Sequence, residues 1–159
     1  MKVKDMIEFI ESLAKKNKEI RYVHDIGLCL NIANCFVLVH KEPKETYPTV
    51  PVATDVVSEK YNKLLWNMRV RPKKHEMGGI TLVELKENIK GLLSNDYIFL
   101  VEDVRIAVKY IRLIIKVLSF FKINEVIMSW VDGNSAVQFI CRPGIEIIVM
   151  PMVYKQNKD

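Results

Sequence analysis

Residues 104–153 read VRIAVKYIRLIIKVLSFFKINEVIMSWVDGNSAVQFICRPGIEIIVMPMV. A short β-rich segment at 104–108 leads into residues 109–121, where apolar residues recur at the spacing of an amphipathic helix. Apolar β-rich segments follow, and clusters of Asp, Gly, Asn and Pro separate them, which is typical of antiparallel strands joined by tight turns. The predicted strands lie at 125–131, 136–142 and 145–153, with turns at 132–134 and 142–144.

The N-terminal part of the chain is predicted to contain the same order of elements. Residues 3–16 carry apolar side chains on one helical face and charged side chains on the opposite face, which predicts an amphipathic helix. Short β-rich segments follow at 19–25, 27–33 and 35–41, separated by turn-forming residues. A helix followed by strands is therefore predicted twice.

The segment between these two units is less regular. Pro43, Pro48 and Pro51 interrupt any strand ladder near its start. Residues 58–67 are compatible with a helix, and Thr81 with Glu84 has the spacing of a capping box that begins another helix, running to about residue 93. The predicted fold class is α+β with mostly antiparallel pairing. A single domain over residues 1–159 is expected, with 1–41 as its first half, 42–98 as a variable or inserted segment and 99–154 as its second half.

Composition excludes several classes of protein. The chain has 159 residues, half of them apolar, and a formal net charge of +5, which excludes intrinsic disorder. No apolar run approaches the roughly 20 residues that span a bilayer, so no membrane association is expected. Acidic residues near the start do not fit a secretory signal, and a cytoplasmic location is expected. The three cysteines are predicted to be reduced, buried thiols.

Residues 104–111, 125–130, 132–137 and 147–152 together resemble the C-terminal half-domain of the bacterial DNA polymerase III β subunit family, the sliding clamps. The resemblance implies a DNA-clamp-like domain of two helix-plus-antiparallel-strands units related by a pseudo-twofold. It also implies a non-catalytic protein that binds the DNA backbone, replication-type proteins, or both. Clamps of this family carry three such domains per chain and close into rings. A ring of this chain would require a homo-oligomer.

Two groups of basic residues are predicted to contact double-stranded DNA through its phosphates. Lys109, Arg112 and Lys116 fall within about 60° of one another on one helix, and the resemblance implies that such helices line the central hole. The second group surrounds Trp66, whose ring could stack on bases. The alternative for both groups is an ordinary solvated surface. The second group comprises Lys60, Lys63, Arg69, Arg71, Lys73 and Lys74.

The last predicted strand is the candidate peptide-binding segment. The resemblance implies that this stretch helps to form an apolar pocket for short motifs of partner proteins, and methionine adapts its shape to varied partners. The alternative is an inner strand that packs on the core. The predicted residues are Val149, Met150, Pro151 and Met152.

No catalytic residue, metal site or cofactor is predicted. The spacing of His24, Cys29, Cys35 and His40 is not a usual zinc spacing. A nuclease interpretation would use Asp25, Glu84 with Lys86, Glu102 and Asp103, and it lacks the expected strand context. No phosphate-binding loop or nucleophile elbow occurs. The alternative function is a protein-interaction or regulatory module that keeps the clamp fold without ring formation or DNA binding.

Overall fold

The structure, a computed structural model, describes residues 3–14, 19–24, 26–32, 35–39, 50–70, 75–101, 104–133, 135–142 and 144–152. Within these ranges the chain forms four helices and nine strands. The helices are α1 (Val3–Ala14), α2 (Asp55–Val70), α3 (Leu82–Asn88) and α4 (Val108–Phe120). The strands are β1 (Glu19–Val23), β2 (Gly27–Ile32), β3 (Cys35–Val39), β4 (His75–Thr81), β5 (Tyr97–Val101), β6 (Val104–Ala107), β7 (Glu125–Trp130), β8 (Val137–Arg142) and β9 (Ile145–Val149).

Seven strands form one sheet in the order β1-β2-β3-β9-β8-β7-β4, and β5 pairs with β6 in a separate hairpin. Every pair of neighbouring strands is antiparallel. At the middle of the sheet β3 pairs with β9, with Cys35 opposite Val149 and Val39 opposite Ile145. The two predicted halves of the chain therefore share one continuous sheet. The predicted α+β class with mostly antiparallel pairing is confirmed.

Helices cover both faces of this sheet because its central strands are apolar on both sides. Residues of β3 alternate between two cores, with Val37 in the larger core and Phe36 in the smaller one. The larger core contains the apolar faces of α1 and α4, which meet where the rings of Phe9 and Phe120 stack with centroids 3.9 Å apart. On the opposite face α2 contributes Tyr61, whose ring meets Phe36 edge to face at 5.3 Å.

Most predicted elements are present, with shifted ends. The hydroxyl of Thr81 accepts a hydrogen bond from the Glu84 amide at 3.1 Å, as expected for the start of α3. That helix ends at Asn88, so the prediction that it continues to about residue 93 is wrong. Strand β4 was not predicted because Gly78 and Gly79 interrupt its pattern at a register shift. It extends the main sheet, so part of the 42–98 segment is built into the domain.

The helix-plus-three-strands order does occur twice, as α1-β1-β2-β3 and as α4-β7-β8-β9. The pseudo-twofold of a clamp domain stays a prediction, since repeated order does not define a symmetry axis. In the described part of the chain no helix combines the length and the apolar character needed to cross a bilayer.

Candidate functional site

An open cleft of about 520 Å³ lies where the start of α4, the loop before β5 and the segment after β9 come together. It is built from three segments that are distant in sequence. Ser94 and Asn95 come from the loop, and Lys109 comes from the first turn of the helix. Met150 and Met152 come from the segment after β9. Ala107, Tyr110 and Pro151 complete the lining.

Hydrogen bonds from the helix fix the loop side of the cleft. The N-cap residue of α4 is Ala107, whose side chain cannot cap the free amides of the first turn. Backbone carbonyls of the loop replace the missing cap: the Val108 amide donates to Asp96 at 2.9 Å and the Lys109 amide to Ser94 at 3.3 Å. The loop is thereby attached to the helix start through atoms that every residue type carries.

Arg112, one turn further along α4, attaches the same loop through its side chain. Its guanidinium donates to the Ser94 hydroxyl at 2.8 Å and to the Leu92 carbonyl at 2.5 Å. Hydrogen bonds from a charged donor are among the stronger ones in proteins. The half-buried Arg112 thus supports the wall of the cleft. The sequence predicted a contact with DNA for this residue and did not predict this structural role.

The methionine side of the cleft is attached to β6. Val149 ends β9 with its side chain fully buried, so it belongs to the core and does not line the cleft. The chain then continues beside β6, where the Met152 amide donates to the Arg105 carbonyl at 2.8 Å. Met150 and Met152 remain 36% and 39% exposed. Three of the four predicted peptide-binding residues therefore line one cleft.

The predicted DNA-binding residues do not form one surface within the described residues. Lys109 and Lys116 are exposed on α4, whereas Lys60 and Lys63 are exposed on α2, which covers the opposite face of the sheet. Arg69 lies in α2 with its side chain outside the described set. Arg71, Lys73 and Lys74 also lie outside the described ranges.

The three thiols are deeply buried, as predicted. Burial raises the pKa of Cys29, Cys35 and Cys141 to about 12, and for Cys141 the charge of Glu146 adds to the rise. No group of three metal-binding side chains occurs among the described residues. His40, Asp25, Glu102 and Asp103 lie outside those residues.

One surface feature was missed at the sequence level. Tyr97 and Phe99 on β5 are 42% and 54% exposed, and the guanidinium of Arg105 lies over both rings. The alternation in YIFLV was the available signal, because Ile98 and Leu100 alternate with the two aromatic residues and pack against the core.

No family model, curated protein or solved structure matches the chain. The relation to the sliding clamps therefore stays a prediction from the motifs in residues 104–153.

Proposed function

We propose that the protein is a non-catalytic binding module whose cleft takes a short apolar segment of a partner protein of the replication type. One observation carries the proposal: Met150 and Met152, expected to bind peptide, line the same cleft as Lys109. A cleft of about 520 Å³ falls within the size range of ligand sites, roughly 300–1,000 Å³. The two exposed methionines supply an adaptable apolar wall.

The charge at the cleft favours a particular kind of peptide. Lys109 is exposed, and its ammonium lies 5.1 Å from the centre of the neighbouring Tyr110 ring. A carboxylate on the bound segment would pair with this ammonium, while apolar side chains would pack against the methionine wall. The preferred ligand is thus a segment with two or three apolar residues and one acidic residue.

Both walls of the cleft are held before any ligand arrives. Arg112 and the backbone bonds of Ser94 and Asp96 fix one wall, and the bond from Met152 to Arg105 fixes the other. A preformed site loses little conformational freedom on binding, so even a short peptide can bind measurably.

The test uses a library of short labelled peptides composed of Leu, Phe, Met, Asp and Ser, with the full chain as receptor. The wild type should enrich apolar peptides that carry one carboxylate. Replacing both methionines, Met150→Ser with Met152→Ser, should weaken binding by about 10-fold, because covering the exposed third of each methionine contributes roughly 0.5–1 kcal/mol. Fluorescence anisotropy measures the affinities.

Val56→Ser on α2 is the matched control for this experiment. Val56 is 78% exposed and lies on the helix of the opposite sheet face, so its replacement should leave peptide affinity unchanged. Equal binding by the double methionine variant and the wild type would refute the proposal.

A second function, contact with the backbone of double-stranded DNA, is favoured by the exposure of Lys109 and Lys116 two turns apart on α4. Replacing both with Glu should weaken duplex binding. It should also reduce the slope of log affinity against log salt by about 0.9 for each phosphate that the helix no longer neutralises. A mobility-shift titration at several salt concentrations measures both quantities.

Lys60→Glu with Lys63→Glu on α2 makes the same change of charge in the other predicted DNA-binding group, so comparison of the two variants shows which helix contacts the duplex. An unchanged salt slope in the α4 variant would exclude this helix as the DNA-binding surface. Light scattering after size exclusion adds the oligomeric state: a stable multimer favours a ring, and a monomer or simple dimer favours the interaction module without a ring.

A further inference from the structure

Ser94 presents its hydroxyl on an exposed loop at the cleft. Leu93, Ser94 and Asn95 are all exposed, and they lie outside any helix or strand, between α3 and β5. The other exposed serines of the described residues, Ser12 and Ser119, lie within helices. A loop hydroxyl reaches the active site of a modifying enzyme with little change in the fold. Ser94 is therefore the serine best placed for modification in the described part of the chain.

The surroundings of this hydroxyl are positively charged. The Arg112 guanidinium donates to the Ser94 oxygen at 2.8 Å, and Lys109 lines the same cleft with an exposed side chain. Ser94 also lies at the N-terminal end of α4, because its carbonyl accepts from the Lys109 amide at 3.3 Å. The N-terminal end of a helix carries partial positive charge, so all three features favour a negative charge on Ser94.

The nearest acidic residue in the loop does not occupy these cations. One carboxylate oxygen of Asp96 accepts from the Leu93 amide at 2.7 Å. The guanidinium of Arg112 donates to neutral oxygens of Ser94 and Leu92, and among the described residues neither Arg112 nor Lys109 forms an ion pair. Two cations therefore lie beside Ser94 without a described carboxylate to balance them.

We infer that Ser94 is a phosphorylation site whose phosphate is held by Arg112 and Lys109. A protein kinase would transfer the terminal phosphoryl group of ATP to the Ser94 oxygen. The oxygen–phosphorus bond forms, the bond to the β-phosphate oxygen breaks, the hydroxyl proton is released and ADP leaves. A phosphate that lies opposite arginine at a helix N-terminus gains roughly one to three charge-assisted hydrogen bonds. Arg112 already contacts this oxygen, so the loop need not rearrange for the phosphate to be bound.

The modification would regulate the cleft, and this consequence rests on the proposed function. Phosphoserine carries about −1.5 to −2 charges at pH 7, which is more than the single charge of Lys109 neutralises. An acidic peptide would lose its partner at Lys109 and meet a like charge instead. We expect phosphorylation to exclude acidic peptides from the cleft while the methionine wall stays unchanged.

Mass spectrometry of the protein isolated from its native cells, with phosphatase inhibitors present, tests the modification directly. Trypsin releases residues 91–105, in which Ser94 is the only serine or threonine. A phosphate that fragmentation places on Ser94 supports the inference. A segment that is unmodified at every stage of growth, or that carries phosphate on Tyr97 alone, overturns it.

The full chain with phosphoserine incorporated at Ser94 tests whether the two cations hold the phosphate. Phosphorus NMR follows the second pKa of the phosphate, which is about 6 in a free phosphoserine. The cations should hold this pKa below that value, and Lys109→Gln or Arg112→Gln should each return it towards about 6. A phosphate that titrates at about 6 in all three proteins would contradict the inference.

Phosphoserine incorporated at Ser12 is the matched control. Ser12 is exposed on α1, with Glu8 one turn before it and Glu11 beside it. These carboxylates disfavour the dianion, so the pKa of this phosphate should stay at or above about 6. Equal pKa values at the two positions would show that Arg112 and Lys109 do not hold the phosphate.

Peptide affinity separates this inference from the proposed function. Phosphorylation of Ser94 should weaken the binding of an acidic peptide about 5- to 150-fold, the usual range for coupling between two sites, and leave a neutral apolar peptide nearly unchanged. Equal affinity of both forms for the acidic peptide would overturn the regulatory role. If neither form binds any peptide, the proposed function fails, while a lowered phosphate pKa still supports the Ser94 site.

Discussion

Raising the pH from about 9 to about 12 is expected to unfold the protein through its three buried thiols. Burial raises the pKa of Cys29, Cys35 and Cys141 to about 12 in the folded chain, against an ordinary value of 9.0. Above pH 9 the unfolded chain loses these protons while the folded chain keeps them. The thiols therefore contribute stability that is fully present below pH 9 and is lost as the pH rises to about 12.

The size of this effect is comparable with the stability of a whole domain. Each thiol that ionises only in the unfolded state lowers the free energy of unfolding by about 1.4 kcal/mol per pH unit. Across the window this amounts to roughly 4 kcal/mol per thiol, whereas domains of this kind have about 5–15 kcal/mol in total. Urea unfolding curves at several pH values between 8 and 11 measure the loss.

Cys35→Ala isolates the contribution of one thiol from the tyrosines and lysines that titrate in the same range. Its free energy of unfolding should fall less steeply with pH, by about 1.4 kcal/mol per unit, than that of the wild type. A thiol reagent at pH 8 should label Cys35 in the wild type only after unfolding. Parallel pH slopes for the two proteins would contradict the prediction.

Phe139→Ala is expected to lower the free energy of unfolding by about 3–5 kcal/mol. Phe139 lies on β8 and is fully buried, with Met128 and Ile147 as its neighbours on the adjacent strands. Removing the ring leaves a cavity where the sheet meets α1 and α4, because the surrounding side chains close the gap only partly. Chemical denaturation gives the difference from the wild type.

Phe99→Ala makes the same chemical change on the exposed face of β5 and serves as the control. It should lower the free energy of unfolding by only about 1 kcal/mol, since roughly half of the Phe99 side chain is already solvated and the loss is confined to its contacts with Tyr97 and Arg105. A similar loss of stability in both variants would mean that the ring of Phe99 is buried in solution.

Much of the fold follows from local patterns in the sequence. Helix α4 was predictable because its apolar residues recur at helical spacing and seven of them are buried. Strand β3, which is buried on both faces, was predictable from its uninterrupted apolar run. Strand β4 was not, because an edge strand of exposed residues with two adjacent glycines has little apolar alternation for a pattern to reveal.

The candidate site could be predicted only in pieces. Methionines after β9 and a lysine at the start of α4 are visible in the sequence, but their meeting depends on the bond between Met152 and Arg105. The carbonyls of Ser94 and Asp96 that cap α4 leave no sequence signal, since every residue carries a carbonyl. Residue types alone therefore do not predict which distant backbone atoms meet at the cleft.

The central pairing of β3 with β9 has a consequence for how the chain is made. These strands are far apart in the sequence, so β3 emerges from the ribosome long before its partner exists. Until β9 arrives, one edge of β3 has no strand beside it, although its residues are apolar on both faces. Completion of the sheet must therefore await the synthesis of β9. We expect folding to be slow for a chain of this size, because the contacts between β3 and β9 join residues that are far apart in the sequence.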